Sequence, residues 1–451
     1  MPGTKDLPLG SEKISSLMLR LSLPAILAQV VSILYNIVDR IYIGHIQSAS
    51  SLSLTGLGVC LPVIMLVSAF SFFAGTGGAP LAAIELGKSE HDEAALKNAE
   101  SILGNAFILL VTFSVVLSGA FFVFRKSILV AFGASRATLP YASDYLETYL
   151  CGTIFVLIAL GLNPFISCQG HARTAMVSTL IGAILNIALD PIFIFTLEMG
   201  VRGAAVATII SQAASAAWIL IFLSSKKSSI RLRAEILKFK FETVKKISSL
   251  GISPFIMSAT ESAIFVVFTS GLQKFGGDNY VGAMTIMQSL MQLGFVPVQG
   301  FTDGTSPIIS YNFGAKKFVR VKKTIRMMTA ISFSTTVIFA ILLNTFRTQA
   351  TAIFTENAEL VLLVENLLPI YFGAFWIFGI QMSAQRTFVS LGKAGTSVFI
   401  AILRKVILLI PLALLLPNYF GVMGIFWAEP IASTLSALTS GIILLLVYRK
   451  I

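Results

Sequence analysis

The stretch GTGGAPLAAIELG at residues 75–87 has a second version, TDGTSPIISYNFG, at residues 302–314. Two glycines and a proline recur at identical spacing, as the pairs Gly77 and Gly304, Pro80 and Pro307, and Gly87 and Gly314. Three other pairs lie in matching order along the chain, namely SLP at 22–24 with ISP at 252–254, GHART at 170–174 with GKAGT at 392–396, and GVRGAAVA at 200–207 with GVMGIFWA at 421–428. Because their offsets stay nearly constant, the sequence predicts an internal duplication.

The composition around these repeats is that of a polytopic membrane protein. Hydrophobic residues make up 56% of the 451 residues and charged residues 12%, whereas soluble domains carry about 25% charged residues. The apolar runs are about 20 residues long, which fits membrane-spanning helices and is too long for the strands of an outer-membrane barrel. The first run has no small-residue cleavage site after it, so we expect a retained span rather than a signal peptide.

About twelve apolar runs of this length predict an all-α polytopic membrane protein. The duplication divides them into six per half, so we expect two six-helix lobes related by a pseudo-twofold along the membrane normal. The predicted domains are an N-terminal six-helix lobe at 1–224, a basic cytoplasmic linker at 225–246 and a C-terminal six-helix lobe at 247–451. A cleft between the two lobes is the expected place for a substrate.

The basic residues cluster on one side of the predicted membrane span pattern, which accounts for the formal net charge of +12. Two clusters, at 224–246 and 316–326, fall on the same side because an even number of spans separates them. The positive-inside rule makes that side cytoplasmic, together with both termini. Orientation thus explains the charge without nucleic-acid binding. We expect the linker to be a solvated connector, with a surface helix on anionic lipid as the alternative.

The sequence lacks the common motifs of catalysis and metal binding, which argues against an enzyme. The sequence carries neither an HExxH nor a GxSxG motif. GKS at 87–89 resembles the end of a phosphate-binding loop, but the first glycine of that loop is replaced by Ala82. The cysteines and histidines, three of each, have neither disulfide-framework nor metal-ligand spacing. We therefore expect no catalytic activity and no cofactor other than a coupling ion.

The stretch YNIVDRIYIG at residues 35–44 places Asp39 near the outer end of the first apolar run. An ionisable residue at membrane depth is costly and is a functional candidate by default. In the fifth run Asn186 and Asp190 are four residues apart and share a helix face. Asp190 lies roughly 10 Å below the outer surface, and Thr208 of the sixth run lies at a similar depth. These oxygen-bearing side chains predict a coupling site for Na⁺ or H⁺. The alternative is that Asp39 merely reaches the interface and Asp190 caps a kink.

The second half keeps the pattern of this region without its carboxylate pair. At the local repeat offsets Thr208 corresponds to Glu429 and Pro191 to Pro411, while Asp190 falls near Ile410 and Asp39 near Thr269. A purely structural role would more readily survive in both halves. The sequence therefore predicts that the N-terminal lobe carries the coupling site.

Further ionisable residues fall within or beside the apolar runs of the second half. Glu261, midway along the seventh run, either lines the central cleft and attracts a cationic substrate or is a hydrogen-bonded interhelical glutamate. Asp303 precedes Gly304 at the inner end of the eighth run, where we expect a turn or gate role. For Arg404 and Lys405, about two turns into the eleventh run, we expect at least one side chain to extend to the membrane interface.

At these residues the chain resembles the multidrug and toxic compound extrusion (MATE) family over essentially its whole length. The most specific stretches are SLP with YNIVDRIYIG within 22–44, LNIALDPIFIF at 185–195, GAAVAT at 203–208, DGTSPIISYNFGAKK at 303–317 and LGKAGT at 391–396. The resemblance implies a twelve-helix, two-lobe antiporter that expels organic cations at the expense of a sodium or proton gradient. It also implies that Asp39, Asn186, Asp190 and Thr208 form the cation site of the N-terminal lobe.

The resemblance departs from part of the family in the second half. Glu261 matches an acidic position on the family's seventh helix, but the tenth helix, YFGAFWIFGIQMSAQ at 371–385, has no acid. Members with a second ion site in the C-terminal lobe carry an acid there. The departure puts such a site in doubt here and favours the DinF-like branch.

The expected function is secondary active multidrug efflux, by cation-coupled antiport of organic, mostly cationic amphipathic compounds through alternating access. The expected setting is the bacterial inner membrane, with membrane lipid and small-molecule drugs as partners, no nucleic acid, and a functional monomer. One alternative is a lipid-linked oligosaccharide flippase of the same superfamily, which needs a more basic cleft for pyrophosphate. Another is a receptor or scaffold that transports nothing.

Overall fold

The computed structural model describes residues 8–46, 50–355 and 357–451, without the side chains of Ser50, Ser51, Leu54 and Ser262. Within these ranges the regular elements are helices. The main helices are α1 Ile14–Gly44, α2 Ser50–Lys88, α3 Glu93–Ala131, α4a Leu139–Cys151, α4b Thr153–Ser167, α5 Ala172–Pro191, α6 Gly200–Ser224, α7 Phe241–Phe275, α8 Asp278–Gly314, α9 Phe318–Thr345, α10a Ala358–Tyr371, α10b Phe375–Ser390, α11 Ala394–Ile402 and α12 Val422–Lys450.

Short helical pieces complete the main helices. A π-helical segment extends α5 over Ile192–Thr196, and another, Leu403–Leu409, extends α11 into the helix Ile410–Leu415. Short helices also form at Pro8–Ser11, Arg347–Ala352 and Pro417–Phe420, with a 3₁₀ turn at Ala234–Ile236.

The number of membrane spans agrees with the sequence. Ten of the helices described are long and apolar enough to cross a membrane, and the two bent pairs raise the number to twelve when each pair is one span. The pair α4a and α4b bends by 60° at Gly152, and the pair α10a and α10b bends by 52°. The prediction of an all-α membrane protein with about twelve spans is confirmed.

The two helices with π-helical segments are those that the internal repeat makes equivalent. In α5 the π segment follows Pro191, and in α11 it precedes Pro411. Proline has no N–H to donate, so the hydrogen-bond ladder of the helix must rearrange next to it. π-Helical turns are rare and are frequent at functional sites. Both segments lie beside ionisable residues that the sequence singled out.

The predicted linker at 225–246 is held against the first half of the chain. The Gln169 side-chain oxygen accepts hydrogen bonds from the hydroxyl of Ser228 at 3.0 Å and from the N–H of Ile230 at 3.1 Å. Asn105 bonds to the backbone at Lys238 and Lys240. Between Ser224 and Phe241, where α7 begins, the regular element is the 3₁₀ turn Ala234–Ile236. The surface-helix alternative is therefore wrong for 225–240. α7 starts inside the predicted linker because the polar residues after Phe241 form its first turns.

The two halves meet near one end of the bundle, the basic end, at which α1 begins and α6 ends. Helix α1 packs against α8, and α2 packs against α7. The approach is so close that a Cβ atom on Gly304 would lie 2.4 Å from the Cα of Ser22, and one on Gly77 would lie 2.6 Å from the carbonyl oxygen of Ile247. The Ser22 hydroxyl donates to the carbonyl of Phe301 at 3.1 Å. Glycine is needed at these positions because backbones touch there.

The buried apolar side chains repeat this asymmetry. One core joins residues of both halves, and its members from the second half, such as Ile247, Ile308 and Phe388, lie toward the basic end. A second core lies wholly in the second half, with members such as Phe268, Leu290 and Phe426 toward the opposite end. The halves are therefore knitted together at the basic end, while the far end of the second half packs on itself. The domain limits 1–224 and 247–451 stay a prediction.

Candidate functional site

A polar cluster lies inside the first half, where α1, α5 and α6 come together. The Asn186 amide donates to the Asp190 carboxylate at 3.2 Å and to the Thr208 hydroxyl at 3.4 Å. The carboxyl groups of Asp39 and Asp190 lie within hydrogen-bonding reach of each other. The structure thus brings all four predicted coupling residues into one cluster, and this geometry disfavours the alternative in which Asp39 merely reaches the interface.

The cluster is rich in oxygen atoms that lack donors. Asp190 and Asn186 are 0% and 3% exposed. Three of its buried oxygens, Oδ1 of Asp39, Oδ2 of Asp190 and Oδ1 of Asn186, accept no hydrogen bond from any residue described. A buried acceptor without a donor is unfavourable by about 1–3 kcal/mol. A proton or a hard cation satisfies such acceptors, so the donor set fits Na⁺ or H⁺.

A tyrosine that the sequence reasoning missed completes the cluster. Tyr145 of α4a lies beside Thr208 and close to Asp39. Tyr149 stacks on it with ring centroids 6.2 Å apart, and both rings are 3% exposed. A signal was present, because tyrosines at 141, 145 and 149 repeat every four residues and share one helix face. Their polar tips had no identified partner in the sequence.

In the second half, Arg404 and Lys405 each form an ion pair with a carboxylate on a neighbouring helix. Arg404 binds Glu429 at 2.7 Å, and Lys405 binds Glu261 at 2.5 Å. The Arg404 and Lys405 side chains are only 6% and 5% exposed. The expectation that one of them extends to the membrane interface is wrong, because each side chain turns inward to neutralise a carboxylate from a neighbouring helix.

Glu261 and Asp303 are both paired as well. The Glu261 side chain is 56% exposed while bonded to Lys405, so it combines both alternatives, a bonded interhelical glutamate with an open face. Asp303 pairs with Arg386 of α10b. It lies within α8, which continues to Gly314, so the turn interpretation is wrong. Its gate role stays a prediction.

The family model MatE matches this chain at residues 24–192 and 254–415. The chain belongs to the MATE family. One matched segment falls in each half of the predicted duplication. MATE proteins are transport proteins, so this chain is a membrane transporter. Its assignment to the DinF-like branch stays a prediction.

Relatives of this MATE protein include two staphylococcal proteins. The multidrug export protein MepA of Staphylococcus haemolyticus is 27% identical, over 93% of this chain and 91% of its own length. The MepA protein of Staphylococcus aureus strain NCTC 8325 is 26% identical, over 96% of this chain and 94% of its own length.

Solved MATE structures share the fold along the whole chain. The outward-facing conformation of a multidrug resistance MATE family transporter of the MOP superfamily superposes with a TM-score of 0.90 at 22% identity, covering 100% of this chain and 99% of that one. A MATE crystal structure in complex with MaL6 superposes with a TM-score of 0.89 at 21% identity, covering 100% and 99%. The superpositions support the twelve-span fold of this MATE protein.

Proposed function

We propose that this transporter exports organic, mostly cationic amphipathic compounds in exchange for Na⁺ or H⁺. The observation that carries the proposal is the one-sided cluster of Asp39, Asn186, Asp190 and Thr208, with buried oxygens that suit a cation. The MepA relatives, named as multidrug export proteins, support the choice of cargo. The protein works as a monomer in a bacterial inner membrane, with the basic end in the cytoplasm.

Exchange of ion and drug follows from two arrangements of the halves. A cation from outside binds between Asp39 and Asp190 and draws α1 and α5 together. That arrangement of the first half has the lower affinity for drug, so cargo loaded from the cytoplasm leaves outward. Coupling requires only that the ion bind the two arrangements with different affinity. The contact between the halves at the basic end corresponds to a state closed toward the cytoplasm.

The charge pattern favours drug export over flipping of a pyrophosphate-linked oligosaccharide. An anionic pyrophosphate needs uncompensated basic side chains in the cleft. Arg404 and Lys405 are instead each held by a carboxylate, while Glu261 keeps an open face that suits a cationic cargo. Since Lys405 neutralises part of that charge, we expect Glu261 to contribute modestly to cargo affinity.

The test is dye efflux from proteoliposomes with sodium and pH gradients imposed separately. We expect one of the two gradients, directed inward, to drive ethidium out of the lumen. Conversely, we expect an outward ethidium gradient to drive uptake of that ion into the lumen. A receptor or scaffold would give neither flux. If neither gradient moves the dye in correctly oriented vesicles, the proposed exchange is wrong.

An ion-pair cluster between the halves at the basic end gives a further prediction. The Glu90 carboxylate accepts from the Tyr311 hydroxyl at 2.8 Å and pairs with Lys317 at 2.8 Å. These bonds must break when the basic end opens. Because hydrogen bonds to charged groups contribute about 1.5–3 kcal/mol, and Lys317 is partly exposed, Glu90→Gln is expected to raise the open population by up to about tenfold.

Labelling at the closed contact measures this shift. A Ser22→Cys variant, in a background without the native cysteines, places a thiol between α1 and α8, where Ser22 is 1% exposed. Glu90→Gln should speed its reaction with a polar maleimide. The matched control is Glu93→Gln, an exposed glutamate at the start of α3. Equal labelling rates in all three proteins would show that the Glu90 contacts do not hold the basic end closed.

A further inference from the structure

The ion pair of Arg404 and Glu429 occupies a distinctive place in the fold. The internal repeat equates α5 with α11 and α6 with α12, and it places Glu429 at the position of Thr208. In the first half, Asn186 reaches from α5 to Thr208 on α6. In the second half, Arg404 reaches from the π segment of α11 to Glu429 on α12.

Equivalent pairs of helices are thus bridged in both halves. In each half the bridge starts from a residue that precedes the equivalent proline, Pro191 or Pro411. In the first half the bridge is neutral and stands beside the two carboxylates of the ion site. In the second half the bridge itself consists of a cation and an anion.

Several contacts hold the pair, although the buried Arg404 Nε has no acceptor among the residues described. Glu429 accepts from the Arg404 guanidinium at 2.7 Å and from the Ser433 hydroxyl at 2.9 Å. The guanidinium lies 4.5 Å from the centre of the Phe378 ring, which is a favourable cation–π distance. Both charged residues are buried, at 5% and 7% exposure. A buried charged carboxylate is costly unless a positive group neutralises it. Arg404 supplies a permanent positive charge, because its guanidinium does not lose its proton in proteins.

We propose that Arg404 is a resident cation that fills, in the second half, the place where the first half takes an exchangeable one. Glu429 and Ser433 then form a latent cation site, closed as long as the guanidinium is present. A small cavity lined by Tyr371, Phe378, Glu429 and Ser433 adjoins the pair, so a sodium ion or a proton can take over once the positive charge is removed. One half therefore exchanges its ion while the other keeps it fixed, which limits the transporter to the ion binding of a single half.

The neighbouring pair of Lys405 and Glu261 provides the contrast. Glu261 is 56% exposed, against 9% for the Glu429 side chain. When Lys405 loses its charge, the Glu261 carboxylate is not enclosed by protein as Glu429 is, so no closed cation site is left behind. Arg404 and Lys405 are adjacent basic residues on one π segment, which makes Lys405 a matched control for Arg404.

The experiment counts the cations bound by the purified full chain in detergent. Radioactive sodium binding is measured in choline-based buffer, and proton uptake is measured in parallel on acidification in weak buffer. Arg404→Gln should bind one more cation per chain than the unaltered protein, as Na⁺ or as H⁺. Lys405→Gln and the double variant Arg404→Gln/Glu429→Gln should show no such gain. An unchanged count in a folded Arg404→Gln protein overturns the proposal.

Two further variants keep the outcome unambiguous. The extra cation should persist when Arg404→Gln is combined with Asp190→Asn, because it binds in the second half. This variant tests the latent site separately from the proposed function. Only the comparison between the two halves rests on the proposed function. If Arg404→Gln aggregates while the double variant with Glu429→Gln folds, sodium added during purification should recover the single variant. The same recovery is expected in mildly acidic buffer when the replacement cation is a proton, and failure of both recoveries overturns the proposal.

Discussion

Replacing both Asp39 and Asp190 by asparagine is expected to reduce gradient-driven efflux by at least about tenfold. Asparagine keeps the size of the side chain and part of its hydrogen bonding but removes the negative charge. The cation then binds both arrangements of the halves weakly and with similar affinity. Its binding therefore no longer drives the change between them. Hydrogen bonds and charge contacts to a charged group contribute about 1.5–3 kcal/mol, and about 1.4 kcal/mol corresponds to a factor of ten.

The measurement is the initial rate of dye efflux from proteoliposomes under the gradient that drives the unaltered protein. Asp144→Asn is the matched control, since it makes the same chemical change at an exposed position on α4a, next to Tyr145. Dye binding to the double variant without a gradient should remain measurable, because the cargo site does not require the ion. Full efflux rates in both single variants and in the double variant would refute the assignment of these residues as the ion site.

The second large effect is expected for Gly314→Ala at the basic end. A Cβ atom on Gly314 would lie 1.9 Å from the carbonyl oxygen of Ile84, and one on Gly87 would lie 2.0 Å from the carbonyl oxygen of Tyr311. The obstructing atoms are backbone, so no side chain can rotate away. The contact joins α2 of one half to α8 of the other, and the packing inside each half is untouched. We therefore expect a folded protein that cannot close its basic end.

Two readouts separate blocked closure from misfolding. Efflux by Gly314→Ala should fall by more than about tenfold, since one step of alternating access is obstructed, while maleimide labelling of Ser22→Cys should rise. The control is Gly119→Ala in α3, because no atom described lies within 4 Å of a Cβ at that position. Alanine there should leave efflux intact and slightly stabilise the helix. Normal efflux with unchanged labelling in Gly314→Ala would mean that the closed contact is not part of the cycle.

The glycine contacts also explain why the repeat was readable in the first place. Gly77, Gly87, Gly304 and Gly314 all belong to the duplicated stretch, and each lies against backbone of the opposite half. Positions where backbones touch tolerate only glycine, so a duplication keeps glycine there while the surrounding side chains change. The sequence pattern was therefore a direct record of the interface between the halves, although it did not say which helices meet.

The sequence by itself determined the features that depend on residue spacing within one helix and on the position of each helix along the chain. Apolar length predicts a span, and the i and i+4 spacing of Asn186 and Asp190 predicts a shared face. Counting residues from the end of a helix places Thr208 at a similar depth. These inferences held in the structure because each uses geometry within one helix, together with the thickness of the membrane.

What only the tertiary structure decided is which side chains face each other across helices. Arg404 and Lys405 neutralise carboxylates on α12 and α7, the latter more than a hundred residues away in sequence. Tyr145 of α4a lies beside Thr208 of α6, a contact between helices that no spacing within one helix predicts. Rotation of a helix about its axis and its choice of neighbour are set by packing among all twelve spans, and no local pattern encodes them. The partner of a buried charge is for that reason the part of this protein that required coordinates.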